Sequence, residues 1–153
     1  KGDAKVLELL NEALKNELTA TNQYWLHYRL LDNWGVQRLA AFERGESIDE
    51  MKHADRLTQR ILFLEGLPNF QLIGRLRIGE TVEEALRADL ELEMEALEQL
   101  KGAIAHCEAV RDFVRRIAKR VFIKPRNARL RFTVARMVRY HSRKGRYAAD
   151  QAA

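Results

Sequence analysis

Cysteine is almost absent from this sequence: Cys107 is the one occurrence among 153 residues. That excludes an intrachain disulfide and fits a reducing compartment. Proline occurs twice and glycine eight times, while charged residues make up 32% and apolar residues 46%. The balance excludes disordered and disulfide-built classes and fits a helical globular chain. No apolar run approaches the roughly 18 residues of a membrane span, and the N-terminus lacks a signal-peptide pattern. The expected address is the cytoplasm, with no membrane partner. A chain of this length reads as a single domain, 1–153.

Acidic residues are missing altogether from Arg115 to Tyr147. The net charge of +5 therefore conceals a division: residues 115–153 carry 13 Lys/Arg and one acid, Asp150, whereas residues 1–114 carry 14 Lys/Arg and 21 Asp/Glu. A basic tail of this kind is a known footprint of nucleic-acid binding.

What is present is helical periodicity. Asp3 can cap a helix reaching about Trp34, where Gly35 supplies a stop. Its seam runs through Leu10, Leu14, Glu17, Thr21, Tyr24, Tyr28 and Leu31, one face of a packed helix. A second helix is expected from about Val36 to Glu65, ended by Gly66 to Pro68. Its inward row passes through Leu39, Phe42, Glu46, Glu50, His53, Leu57, Ile61 and Leu64. The connection "LPNFQLIGRLRIGET" is long for a compact domain and suits a crossover along a bundle. Thr81, with Glu84 three residues on, reads as a capping box opening a third helix. Its seam is Leu86, Leu90, Glu93, Leu97, Leu100, Ile104 and Cys107. The fourth segment, from about Asp112, carries Pro125 in mid-course, where an interior proline costs about 3 kcal/mol. A broken or kinked helix is expected there. Together these elements predict an all-α, antiparallel four-helix bundle with a long crossover between the second and third helices.

Such a bundle places Glu17, Glu50, His53 and Glu93 in its interior. Buried carboxylates cost several kcal/mol each unless they are paired or bind a cation. Glu and His three residues apart share one helix face and can ligate one ion. In carboxylate di-metal bundles, a Glu from each of two helices joins a Glu-x-x-His from each of the other two. Oxygen-rich sites with imidazole suit iron or manganese. A lone Glu-x-x-His arises by chance in many helices, and a single interior Glu can snorkel outward. Three such coincidences at one height favour a metal site. If the two halves of the bundle repeat, the partner pair of Glu93 falls at 126 and 129, where the sequence has Arg126 and Arg129. Guanidinium groups cannot ligate a cation.

The stretches "KGDAKVLELLNEALKNELTATNQYWLHYRLLDNWG", "ESIDEMKHADRLTQRILFLEGLPN" and "LRIGETVEEALRADLELEMEAL" resemble bacterioferritin, the haem-containing branch of the ferritins. The likeness is close from Lys1 to about Val114. It implies a ferritin-like bundle with a short C-terminal fifth helix, assembled from two-fold dimers into a 24-subunit cage. It also implies a ferroxidase that oxidises Fe(II) with O₂ or peroxide at an intrasubunit di-iron site and stores the Fe(III) mineral. By that resemblance Glu17, Glu50, His53 and Glu93 are ferroxidase ligands, with Glu50 bridging. Met51 matches the methionine that, with its twin from a two-fold-related subunit, ligates haem b. Spacing alone would make Met51 interface packing; the surrounding "DEMKHAD" reverses that. Leu18, Asn22, Trp25 and Ile48 fall on faces that suit a haem pocket. An electron-donor protein for iron release is a further implied partner.

From Arg115 onward the resemblance fails. The family would continue with an acidic stretch bearing the second Glu-x-x-His. This chain instead has ten Arg among its thirteen basic residues, the composition that a GC-rich gene yields out of frame. Two alternatives follow: a catalytically degenerate haem-binding cage subunit, or a ferritin-like DNA-binding protein. The second is disfavoured, because a helix needed for the core makes a poor flexible arm.

Overall fold

The structure is a computed structural model and describes residues 2–109. These form three helices, α1 (Ala4–Asn33), α2 (Gln37–Phe63) and α3 (Val82–Ala109), with no strand among the described residues. The expected fourth helix, its break at Pro125, the fifth helix, Arg126 and Arg129 lie outside the described residues.

Local chemistry sets the helix ends. The Asp3 carboxylate accepts from the Lys5 and Val6 amides, the expected N-cap of α1. At the far end Gly35 takes a φ of 77°, a left-handed turn that glycine enters without a Cβ penalty. Thr81 Oγ1 accepts from the Glu84 amide at 3.2 Å, but the Glu84 carboxylate reaches the Glu80 amide rather than that of Thr81 itself. The box is therefore opened by one residue.

Cross-links fix the directions of the helices. The Gly2 amide meets the Leu64 carbonyl, and Ser47 Oγ donates to the Thr21 carbonyl, so α1 and α2 form an antiparallel hairpin. Tyr24 reaches Glu93, His27 reaches Asp89 and Asn16 reaches Gln99, so α3 also runs antiparallel to α1. Helices α2 and α3 are thus parallel, and the chain between them must travel the length of the bundle.

That crossover is attached to α1 by a row of side chains. Asn11 Oδ1 accepts from the Asn69 amide, Thr19 Oγ1 from Gly74, Gln23 Oε1 from Arg77 and His27 Nε2 from Gly79, at 2.8 to 3.1 Å. From Asn11 to His27 the helix rises about 24 Å at about 1.5 Å per residue. The segment from Asn69 to Gly79 reaches at most about 36 Å when fully extended, so it climbs α1 in a drawn-out conformation. Gly79 is buried, and a Cβ there would collide with the Ala85 backbone at the start of α3.

The core is layered. One apolar cluster joins Val6, Leu10, Leu14 and Leu18 to Ala54, Leu57, Ile61, Leu100 and Ile104. At the other end Leu31, Leu39, Ala40 and Leu86 form a second. Between them the interior is polar. The expected seam of α1 is confirmed except at half-buried Tyr28. On α2 the row is corrected: Phe42, Glu46 and Leu64 are half-buried, and Glu43 and Ser47 turn inward instead of Glu46. On α3 Leu90 and Leu97 are half-buried, while Asp89, Leu92 and Ala96 join Glu93 inside. The buried face of α3 is centred about one residue from the drawn line. Repeating leucines disguised this, since they stand on both flanks of that face.

Candidate metal centre

The polar layer begins with Glu17 on α1 and Glu50 and His53 on α2. Glu17 is 1% exposed, Glu50 0% and His53 7%. One ligand atom from each lies within 4.8 Å of the other two. His53 Nδ1 stands 3.0 Å from Glu50 Oε2 and 3.4 Å from Glu17 Oε2. Burial by itself lowers the affinity of the imidazole for a proton. The hydrogen bonds and negative charges of Glu17 and Glu50 outweigh it and raise the His53 pKa to about 9. At neutral pH the imidazole thus keeps its proton, which a divalent cation would have to displace. Two carboxylates and an imidazole, all buried and convergent, form the donor set that a hard or borderline metal ion requires. Fit is therefore a matter of exchanging one proton for one cation.

Glu93, the fourth residue expected here, is fully buried on α3 but is not one of these three. Its Oε1 accepts from the Tyr24 hydroxyl at 2.5 Å. Burial first, and then the charges of Glu93, Asp89, Glu50 and Glu43, push the Tyr24 phenol well above its ordinary range, so it remains a donor. Tyr24 thereby sits among carboxylates from both α2 and α3.

Beyond Glu93 the sequence reading missed a second buried group. Gln23 and His27 on α1 and Asp89 on α3 are all at least 98% buried. Asp89 Oδ1 accepts from Gln23 Nε2 at 2.9 Å and pairs with His27 Nδ1 at 2.8 Å. Burial, reinforced by nearby Glu93, pushes the Asp89 carboxyl up, while the bonds from His27 and Gln23 act in the opposite direction. The available signal was a polar row four residues apart, Thr19, Gln23 and His27, beside the seam of α1.

Met51 lies about 100° around α2 from Glu50 and is 55% exposed, with Trp25 and Ile48 also exposed and apolar. Leu18 is buried in the apolar cluster and Asn22 is exposed. The Ser47 to Thr21 bond puts Ile48 and Asn22, each one residue on along antiparallel helices, within about 3 Å of each other in height.

Comparison with known proteins adds a separate line. Residues 7–124 match the model of the Ferritin family, described as a ferritin-like domain. The chain is 54% identical to the bacterioferritin of Mycobacterium bovis over 112 residues, covering 73% of this chain and 70% of the relative. It is 54% identical to the bacterioferritin of Brucella melitensis over 114 residues, covering 74% and 71%. The bacterioferritin of Rhodobacter capsulatus is 53% identical over 114 residues, with the same coverage. The family match ends before Arg126 and Arg129.

Proposed function

This chain belongs to the bacterioferritin family, and from that premise we propose that it stores iron, taking up Fe(II) at the buried Glu17, Glu50 and His53 group and oxidising it there. The observation that carries the reading is the convergence of those three ligand atoms within 4.8 Å in the interior of the bundle. We read residues 1–153 as one ferritin-like domain, cytoplasmic, assembled from two-fold dimers into a 24-subunit cage.

Fe(II) is the substrate. Glu17 and Glu50 supply negative charge in a site from which water is excluded, so they favour the more highly charged product Fe(III) over Fe(II). His53 gives up its proton as Fe(II) enters, because only the neutral imidazole ligates. Glu93, oriented by the Tyr24 hydroxyl, is the ligand from the third helix. Two Fe(II) ions yield two electrons, which with two protons reduce O₂ to hydrogen peroxide, or hydrogen peroxide to two waters. An electron-donor protein would reverse the oxidation for release. For haem b the fit rests on Met51, whose thioether is presented outward at an exposed apolar surface with Trp25 and Ile48. When bound between two subunits, haem supplies an electron-transfer centre.

Stopped-flow oxidation of Fe(II) tests the reading. A fast phase complete at two irons per subunit, abolished in Glu50→Ala, is expected. Its absence in the parent would overturn the ferroxidase. One observation favours a second reading, a haem-binding cage subunit without oxidase activity: Arg126 and Arg129 stand where the second Glu-x-x-His is called for. In that case the Soret band survives Glu50→Ala and disappears in Met51→Leu, with no fast phase in any form.

A further inference from the structure

The buried group formed by Gln23, His27 and Asp89 has a direction built into it. The Arg77 amide donates to Gln23 Oε1 at 2.9 Å, which turns the Gln23 amide nitrogen toward Asp89. The Gly79 amide donates to His27 Nε2 at 3.1 Å. That nitrogen must then hold a lone pair, so the ring proton sits on Nδ1 and is donated to Asp89 Oδ1. Two relays therefore run in parallel, each from a backbone amide of the crossover through an α1 side chain to the same carboxylate oxygen on α3.

Asp89 stands one helical turn before Glu93, on the same buried face. At the next turn of α1, Tyr24 donates to Glu93. The apolar contacts between these two helices at this height, Ala20 and Tyr24 with Leu92, are non-directional and tolerate sliding. Hydrogen bonds of 2.5 to 2.9 Å are directional and do not.

We propose that Asp89 is a positioning residue for Glu93: clamped by Gln23 and His27, which the crossover orients, it fixes the height of α3 against α1 and so delivers the Glu93 carboxylate to the Tyr24 hydroxyl and the site beyond. Its consequence for metal binding rests on the iron reading above. The placement of Glu93 does not.

Two measurements on the full assembled chain separate these. The first is magic-angle-spinning NMR of protein labelled with ¹³Cζ-tyrosine, with the Tyr24 signal identified by its loss in Tyr24→Phe. Asp89→Leu moves that signal toward the position of a solvent-exposed tyrosine. Asp89→Asn retains the acceptor oxygen and restores the parental position. Val6→Ala, in the apolar cluster at the far end, lowers the melting temperature but leaves the signal unmoved. If Asp89→Leu does not assemble, Gln23→Met removes one of the two donors and shifts the signal part of the way. A Tyr24 signal that stays put in Asp89→Leu or Gln23→Met, or that Val6→Ala moves as far, overturns the proposal. The second measurement is Co(II) titration by visible absorption. Asp89→Leu binds roughly tenfold more weakly than the parent, as is typical for loss of a group supporting a ligand, and Asp89→Asn recovers the affinity. A Tyr24 signal that responds as described in a protein whose parent binds no Co(II) upholds the positioning of Glu93 and overturns the iron reading.

Discussion

The two ends of the interior shared by α1, α2 and α3 and its middle are built from the same helices but by opposite rules. Around Leu14 and Ile61 the layer is aliphatic, and its stabilisation grows with area removed from water, at about 25 cal/mol per Å². Around Glu50 and Asp89 the layer holds carboxylates, two imidazoles, an amide and a phenol, whose burial is tolerable only through mutual hydrogen bonds. The first kind of layer makes the bundle stable without caring about an ångström of sliding. The second fixes where each group stands, and the stability it adds depends on pH. A buried donor set for a cation needs both: apolar layers above and below to exclude water, and directional bonds to place each oxygen.

Breaking the apolar layer has the largest expected effect on stability. Leu14→Ala removes a fully buried side chain and costs about 3 kcal/mol, read as a fall in thermal or denaturant midpoint, with metal affinity unchanged in the folded fraction. The reverse pattern is expected in the polar layer. Glu50→Gln keeps the volume and removes a carboxylate charge, weakening Co(II) binding roughly a hundredfold, about 2.7 kcal/mol, while above pH ~9, where the pairing with protonated His53 is already lost, the metal-free melting temperature moves far less. If the two substitutions shift both readouts alike, the division between the layers is wrong.

A smaller effect distinguishes them by pH. His53 in the folded, metal-free protein has its pKa raised to about 9, above the ordinary value of about 6.5 for an exposed histidine. Its stabilising interaction is thus fully present below pH ~6.5 and is lost as pH rises through about 9. Melting temperatures of the metal-free protein should decline across that window, and His53→Gln should flatten the decline; Leu14→Ala should lower the whole curve without changing its slope. The smallest change belongs to neither layer. Asp3→Ala deletes the α1 cap and costs about 1 kcal/mol, visible in the melting temperature at every pH and invisible to Co(II).

Much of this is legible in the sequence alone. Leu10, Leu14, Glu17, Thr21, Tyr24 and Leu31 recur at helical spacing, and period alone places them on one face. Glu50 and His53 stand out because they lie at the ionisable centre of a row that is apolar at both ends. Asp89, Gln23 and Glu43 were not found, for a physical reason. Each is polar and lies beside its seam, so hydropathy reads it as a solvated flank. Only the neighbouring helix, or the crossover laid along α1, makes that flank interior. Glu46 was placed inside for the complementary reason: on α2, Glu43, Glu46, Ser47 and Glu50 are all hydrophilic, and period cannot choose among them. The membership of the chain in the bacterioferritin family followed from whole stretches of sequence, which carry more information than any spacing rule.

The row of α1 side chains that receives the crossover amides has an evolutionary corollary. Between Thr19 and His27 the helix climbs about 12 Å, while the chain from Gly74 to Gly79 has at most about 18 Å to span it and must dock a third amide on the way. Between Asn69 and Gly74 a comparable reach has only its two ends to satisfy. Insertions should accumulate at residues 70–73 across related genes, whereas residues 74–79 should keep their count even where their identities drift. Length, rather than side-chain chemistry, is what selection would be expected to guard in that short piece of chain.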